Sequence, residues 1–267
     1  MKKLLGIAVG ILGVAGLCAE GVSSDLTLDT GIKFQTDRVF RGRNEFGKAL
    51  APQVKVGYQC CEEASIYVGV DTAISIQGGS NIFQHISPYL GALWDVTEVF
   101  TLEAGYKHHF YTTMGKQYTT GEPVDIKRCS NEIYAGVTAD VLLEPSLYCF
   151  YDFDRKEVAI EGRVGYNFDL SQYSISGLGI NLGAKLGYDY ANKPYGYNID
   201  VSSEGKKNYC YYGVNADLVY ELNNNAKAKF GLAYEGNSAK KESWVNNILT
   251  RGHKNSLWLN ASVDCAF

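Results

Sequence analysis

Short segments in which apolar and polar residues alternate recur along most of the chain, and this pattern constrains the fold more than any other feature of the sequence. Successive side chains of a β-strand point to opposite faces, so each segment predicts a strand with one apolar and one polar face. The pattern predicts about twelve strands, each roughly ten residues long. They span residues 26–34, 53–59, 65–74, 86–94, 100–110, 131–140, 146–153, 157–168, 179–190, 212–221, 226–235 and 256–267.

The links between these segments alternate between short and long. Tight links follow the second, fourth, sixth and tenth strands, whereas long polar links include residues 111–130, 191–209 and 236–255. The link after the seventh strand is shorter than this rule requires, and the link near 169–178 is longer. Short turns on one rim and long loops on the other are typical of outer-membrane barrels. We therefore predict an all-β fold: a closed antiparallel transmembrane β-barrel of about twelve strands in an up-and-down meander.

Aromatic residues on the apolar faces sort by strand direction. Tyr58 and Tyr166 are predicted near the inner edge of the barrel, and Tyr106 and Tyr188 near the outer edge. Two girdles of outward aromatic rings mark the lipid–water boundaries of such barrels. The predicted girdle residues are Tyr58, Trp94, Tyr106, Tyr166, Tyr188, Tyr220, Tyr234 and Phe267.

Glycine and tyrosine also recur together on the predicted inward faces. An inward glycine leaves room for a neighbouring ring to lie flat on the wall, and it lets the sheet curl. Four strands carry this Tyr-x-Gly pattern: Tyr67-Gly69, Tyr89-Gly91, Tyr134-Gly136 and Tyr211-Gly213.

The first residues have the parts of a secretory signal peptide: two lysines, an apolar run and small residues. We predict a signal peptide over residues 1–19 and a barrel over residues 20–267. Cys18 suggests lipidation as an alternative, but Leu17 is bulky for the position before a lipidated cysteine. Export permits disulfides, whose connectivity the sequence leaves open among Cys60, Cys61, Cys129, Cys149, Cys210 and Cys265.

The N-terminal part of the chain resembles a family of uncharacterised bacterial exported proteins. Those proteins open with a strand that ends in a Ser-Asp-Tyr-x-Phe-Arg-Gly signature. Asp37, Phe40, Arg41 and Gly42 match that signature, whereas Arg38 stands in place of its aromatic residue. The resemblance implies an outer-membrane barrel and brings no catalytic residues. It covers residues 36–42, 52–58, 64–73, 86–96 and 100–113.

The predicted inward faces carry charges of both signs. A lipid-facing surface could not hold them, because an unpaired charge in the bilayer costs several kcal/mol. These side chains either line a wet pore or pair with one another and block the lumen, and twelve strands leave room for a narrow pore. The predicted lumen-lining residues are Lys33, Lys55, Asp71, Glu103, Lys107, Glu132, Arg163, Lys185, Asp189, Asn215, Asp217, Lys227 and Lys229.

No pattern in the sequence predicts enzymatic activity, a cofactor or a metal site. His108 and His109 are neighbours on a strand, so they face opposite sides and cannot chelate one metal together. His85 and Ser87 share a face, but no third catalytic partner or known barrel-enzyme motif accompanies them. The sequence contains no basic run, which argues against nucleic acid as a partner.

We therefore predict an outer-membrane protein of a Gram-negative-type bacterium that acts as a passive, weakly selective pore for small polar solutes. The alternative is a closed barrel that serves as an envelope scaffold, or as an adhesin through its long loops. The expected partners are outer-membrane lipid and, by resemblance to this class, the barrel assembly machinery, which would recognise the strand that ends at Phe267.

Overall fold

The chain forms a closed barrel of twelve antiparallel strands. The computed structural model describes residues 25–76, 82–114, 118–119, 122–123, 129–171, 176–191, 207–238 and 255–267. The predicted signal peptide lies outside these residues. The strands are β1 Leu26–Gln35, β2 Arg38–Phe40, β3 Arg43–Phe46, β4 Ala49–Cys61, β5 Ala64–Ser75, β6 Ile82–Asp95, β7 Phe100–Met114, β8 Tyr118–Thr119, β9 Glu122–Pro123, β10 Cys129–Ala139, β11 Ser146–Asp152, β12 Glu157–Asp169, β13 Leu178–Ala191, β14 Lys207–Asn223, β15 Ala226–Asn237 and β16 Asn255–Ala266.

The barrel closes where its first and last strands meet. β1 pairs with β16 from Asp29 opposite Ala266 to Gln35 opposite Asn260. The backbones of Leu28 and Phe267 exchange two hydrogen bonds of 2.9 and 3.0 Å at the end of this seam. Every other barrel strand pairs with its neighbours along the chain, and β2–β3 and β8–β9 form two small two-stranded sheets that are separate from the barrel sheet. The predicted fold class and the meander are confirmed.

The exterior of the barrel is apolar. In β5, the exposed side chains of Ile66 and Val68 alternate with the buried ring of Tyr67. A water-soluble protein would bury such residues, whereas lipid tails accept them. Among the residues that the structure describes, no helix is long and apolar enough to cross a membrane. Exposed aliphatic side chains of the wall include Val56, Ile66, Val68, Leu90, Leu102, Ile133, Leu147, Ile160, Val164, Leu182, Leu186, Val214, Leu218, Leu232, Leu257 and Leu259.

The short link after the seventh barrel strand is a tight turn at the outer rim, the rim opposite the β1–β16 chain ends. The Asp152 carboxylate accepts hydrogen bonds from the backbone N–H groups of Asp154 and Arg155, at 3.0 and 2.9 Å. Lys156 then adopts a positive φ of 50°, which reverses the chain into β12. An aspartate side chain that accepts from the backbone two residues later stabilises a turn. This local interaction explains why the link after the seventh barrel strand is short, unlike the other links at the outer rim.

Tyrosine rings lie against glycines on the inner wall, each opposite its glycine in the strand register. Tyr67 faces Gly91 and Tyr89 faces Gly69 across β5 and β6. A methyl group added at any of these glycines would overlap the facing ring. The remaining pairs are Tyr134 with Gly105, Tyr148 with Gly136, and Tyr211 with Gly187.

We predict that Gly91→Ala destabilises the barrel by about 1–3 kcal/mol, because the new methyl group overlaps the Tyr67 hydroxyl and the well-packed wall must shift. Gly165→Ala is the matched control, since its nearest neighbour would be the Leu182 carbonyl oxygen at 3.8 Å. Urea unfolding of the refolded protein in lipid vesicles measures both. Equal losses in the two variants would contradict a packing role for the Tyr67–Gly91 pair.

Candidate functional site

The link between β1 and β4 folds into the barrel as a hairpin, which we call the inner hairpin (β2, β3 and their turn, residues 38–46). Arg41 and Gly42 form its two-residue tip with positive φ values of 48° and 71°. Positive φ at both central residues is the type I′ geometry that matches the twist of paired strands. Gly42 also has to be small, because a Cβ there would come within 2.9 Å of the Gly236 carbonyl oxygen.

Arg41 anchors the hairpin tip to the opposite wall. Its guanidinium donates to Glu132 on β10 at 2.8 Å and to Glu157 on β12 at 3.4 Å, and it lies over the Phe150 ring at 4.4 Å. Burial alone lowers the pKa of Arg41, but the Glu132 and Glu157 carboxylates outweigh it and raise that pKa above its ordinary value. Both ion pairs exclude water, since the three side chains are at most 6% exposed. The tip therefore stays charged and paired.

The hairpin backbone at the tip is bound from a second side. The Tyr209 hydroxyl lies 3.2 Å from the Arg41 carbonyl oxygen and shares its single proton between this oxygen and Asp189. The Gly42 N–H donates to Glu235 at 3.3 Å, and the Asn237 amide donates to the Gly42 carbonyl at 2.6 Å. These partners lie on β14 and β15. The tip is therefore bound by β10 and β12 through the Arg41 side chain, and by β14 and β15 through its backbone.

The arms of the inner hairpin pack against the remaining walls. Val39 forms a buried cluster with Ala233 on β15 and Trp258 on β16. On the other side, the Phe40 ring meets the rings of His85 and His109 edge-on, with centroids 6.3 and 6.2 Å apart. The hairpin thus touches β6, β7, β10, β12 and β14 to β16, and it crosses the lumen.

Below the hairpin, tyrosine hydroxyls surround one carboxylate. Tyr67 and Tyr148 both donate to Glu103, the latter at 2.6 Å, and Tyr67 lies 2.6 Å from the Tyr134 hydroxyl. Two rings, from β5 and β11, therefore bind Glu103 of β7, and the Tyr134 ring of β10 joins them through the Tyr67 hydroxyl. The arrangement narrows this side of the lumen and gives it a hydrogen-bonding surface.

Most of the remaining charged side chains predicted for the lumen pair with other side chains of the inner wall, and Arg163–Glu161 and Asn215–Asp217 pair within a single strand. Asp189 accepts from Tyr209 at 2.8 Å, and Asn215 donates to Asp217 at 2.8 Å. Lys33 lies in β1 opposite Ser262. The ion pairs are Lys55–Asp29 at 2.8 Å, Lys107–Asp71 at 2.9 Å, Lys185–Glu235 at 2.6 Å, Lys227–Glu221 at 3.0 Å, Lys229–Asp264 at 3.1 Å and Arg163–Glu161.

Exposure of these pairs to water changes along the barrel axis. Toward the inner rim, where β1 begins and β16 ends, the side chains of Lys227 and Glu221 are 52% and 54% exposed. At the level of the inner hairpin, Glu132 and Glu157 are 5% and 1% exposed. The lumen is therefore accessible to water at the inner rim and narrowed by the hairpin toward the outer rim.

The predicted girdle residues lie on the outside of the wall at different depths. Tyr58, Trp94 and Tyr220 are exposed near the inner rim, and Tyr188 is exposed near the outer rim. Tyr106 lies near the middle of β7, half-buried, and its hydroxyl donates to Asn131. The other three, Tyr166, Tyr234 and Phe267, are half-buried.

Comparison with known proteins identifies the fold class. No protein-family model and no curated protein matches the chain. The COG4313 outer membrane channel from Pseudomonas putida F1 is 11% identical, with 92% of this chain and 97% of that chain covered and a TM-score of 0.51. LpxR from Salmonella typhimurium is 10% identical, with 89% and 99% covered and a TM-score of 0.52. The chain has the fold of bacterial outer-membrane β-barrels, and the resemblance to the exported family with the N-terminal signature stays a prediction.

The inner hairpin is the part of the site that sequence reasoning missed. Residues 38–46 are too short and too charged to stand out as a hairpin by alternation. Arg41-Gly42 was the one available signal, because glycine in a two-residue link between short extended segments is typical of a type I′ turn. Its partners Glu132 and Glu157 are 91 and 116 residues away, so no local pattern connects them.

We predict that Arg41→Ala lowers the free energy of unfolding by about 3–5 kcal/mol, because it removes the buried cation that Glu132 and Glu157 share. Lys227→Ala is the control: it removes the same charge from a pair that is more than half exposed, and we expect less than about 1 kcal/mol. Urea unfolding followed by tryptophan fluorescence compares them. A loss for Arg41→Ala no larger than that for Lys227→Ala would refute the anchoring role.

Proposed function

We propose that this protein is an outer-membrane channel for small polar solutes, in which the inner hairpin forms the constriction. The observation that carries the proposal is the hydrated, charge-lined lumen that runs from the inner rim up to a polar hairpin. A barrel that served only as a scaffold has no need of water-exposed ion pairs on its inner wall, since apolar side chains could fill it. Here the inner half of the lumen keeps charges of both signs in contact with water.

Weak selectivity follows from the mixed charges of the lumen. Lysine and carboxylate side chains of different strands pair with one another, so neither sign dominates the wall. A passing ion meets both charges at close range, and the net field along the axis is small. The rings of Tyr67, Tyr89 and Tyr134 add flat surfaces below the constriction, on which solutes with apolar faces could lie.

Planar-bilayer recording tests the constriction. We predict a severalfold higher single-channel conductance for Arg41→Ala than for the unaltered protein, because the hairpin tip loses both ion pairs to the opposite wall. Lys48→Ala is the matched control, since it removes one exposed positive charge from the same link. Conductance that is unchanged by Arg41→Ala while the unaltered protein conducts would place the constriction elsewhere.

Reversal potentials in a salt gradient test the lining. Lys107→Gln leaves Asp71 uncompensated and is expected to shift the preference toward cations, whereas Glu103→Gln is expected to shift it toward anions. His108→Gln is the control, because His108 follows Lys107 on the strand and points to the other face. Shifts of the same sign in both lumen variants, or a shift in the control, would contradict the assignment.

A closed barrel that acts as an envelope scaffold or a surface adhesin is the second candidate. It is favoured by the buried ion pairs that hold the inner hairpin across the lumen. Silence in bilayers at all voltages, for both the unaltered protein and Arg41→Ala, would support this function over the channel.

We also propose that the barrel assembly machinery recognises β16. The supporting observation is the position of Phe267, whose backbone completes the seam with β1. We also propose that the exposed aliphatic side chains of the wall contact lipid and that the protein lies in the outer membrane.

A further inference from the structure

Three donor atoms converge beneath the inner hairpin. His85 Nε2 on β6 lies 2.9 Å from His109 Nδ1 on β7, and the Ser87 hydroxyl lies 2.9 and 3.0 Å from these two nitrogens. All three side chains are at most 3% exposed. In the strand register His85 pairs with Tyr111, which places it diagonally across from His109 on the same inward face.

Each imidazole faces a carboxylate with its other nitrogen. His85 Nδ1 lies 3.6 Å from Glu45 of the inner hairpin, and His109 Nε2 lies 3.7 Å from Glu132. A carboxylate behind a histidine holds the ring proton on the nearer nitrogen and leaves a lone pair on the farther one, as it does behind histidines that bind metals. At 3.6 and 3.7 Å neither contact is a hydrogen bond, but this placement favours the tautomers in which the two nitrogens that face each other at 2.9 Å both carry lone pairs.

With these tautomers, the serine hydroxyl alone cannot bind both imidazole lone pairs. Ser87 has one proton to donate, so it can bind one of the two imidazole lone pairs and leaves the other facing its neighbour. Two lone pairs at this distance repel each other unless a positive charge lies between them. Imidazole nitrogens suit divalent cations of the zinc and copper type, and the Ser87 oxygen adds a third donor atom here.

We propose that His85, His109 and Ser87 form a binding site for a divalent transition-metal cation such as Zn²⁺, with Glu45 and Glu132 as the carboxylates that orient the histidines. A tetrahedral zinc ion with bonds of about 2.0–2.1 Å holds two nitrogens about 3.3 Å apart. The rings therefore need to separate by only a few tenths of an ångström. Among the residues that the structure describes, no group of three or more histidine, cysteine and acidic side chains could hold a metal ion, so the proposed ligands are two histidines and one hydroxyl.

The site joins the barrel wall to the inner hairpin. Glu45 and Phe40 of the hairpin approach the rings of His85 and His109, and Glu132 also accepts from Arg41. A bound cation would therefore stabilise the hairpin in its docked position. The proposal does not depend on whether the lumen conducts ions, because cation binding is measured directly.

Isothermal titration of the refolded full-length protein with Zn²⁺ tests the site. The thiols are alkylated first, because the exposed cysteines would otherwise bind zinc. We expect one ion per chain, loss of that binding in His109→Gln, and unchanged binding in His108→Gln. Glu45→Gln keeps all three ligands and is expected to weaken binding by about 10–100-fold.

Mg²⁺ serves as the second probe, and we expect it not to bind, because it prefers oxygen ligands. The heat-modifiable migration of each variant in detergent gels checks that the barrel has folded, and Ser87→Ala gives a second ligand variant if His109→Gln fails to refold.

Absence of zinc binding by the unaltered protein would overturn the proposal, with a shared proton then holding the two rings together. Binding that persists equally in His109→Gln and Ser87→Ala would overturn it as well.

Discussion

Closure of the sheet by β1 and β16 is the constraint on which the rest of the structure depends. A membrane offers no water to hydrogen-bond an open edge, so every strand has to find a partner on both sides. Once the ring is closed, the pleat sends alternate side chains to lipid and to the lumen. The exposed aliphatic wall and the paired charges inside are two consequences of that single closure.

The interior of this twelve-stranded barrel is occupied by tyrosine rings, by ion pairs and by part of the chain between β1 and β4. Tyrosine rings that lie against facing glycines thicken the wall, and cross-strand ion pairs neutralise the charges that the strands carry inward. These devices leave the inner half open to water. The outer half is filled by a segment of the chain itself, and a buried arginine between two carboxylates holds that segment in place.

Sequence reasoning located every barrel strand because alternation is a local property. The predicted segments at 86–94 and 146–153, for example, lie in β6 and β11 of the structure. The same reasoning placed His85 and Ser87 on one face and His108 and His109 on opposite faces, as the structure has them. It did not reveal that His85 and His109 meet, because strand register and diagonal contacts depend on how neighbouring strands slide past each other.

The sequence by itself determined which residues form strands, which face of each strand is apolar, and how the links alternate in length. Only the tertiary structure decided what fills the lumen. Arg41 and Glu157 are 116 residues apart, and nothing in the pattern around either residue specifies the other as its partner. The physical reason is that periodicity fixes the direction of a side chain, whereas the partner of a buried charge is chosen by the closed shape that brings distant walls together.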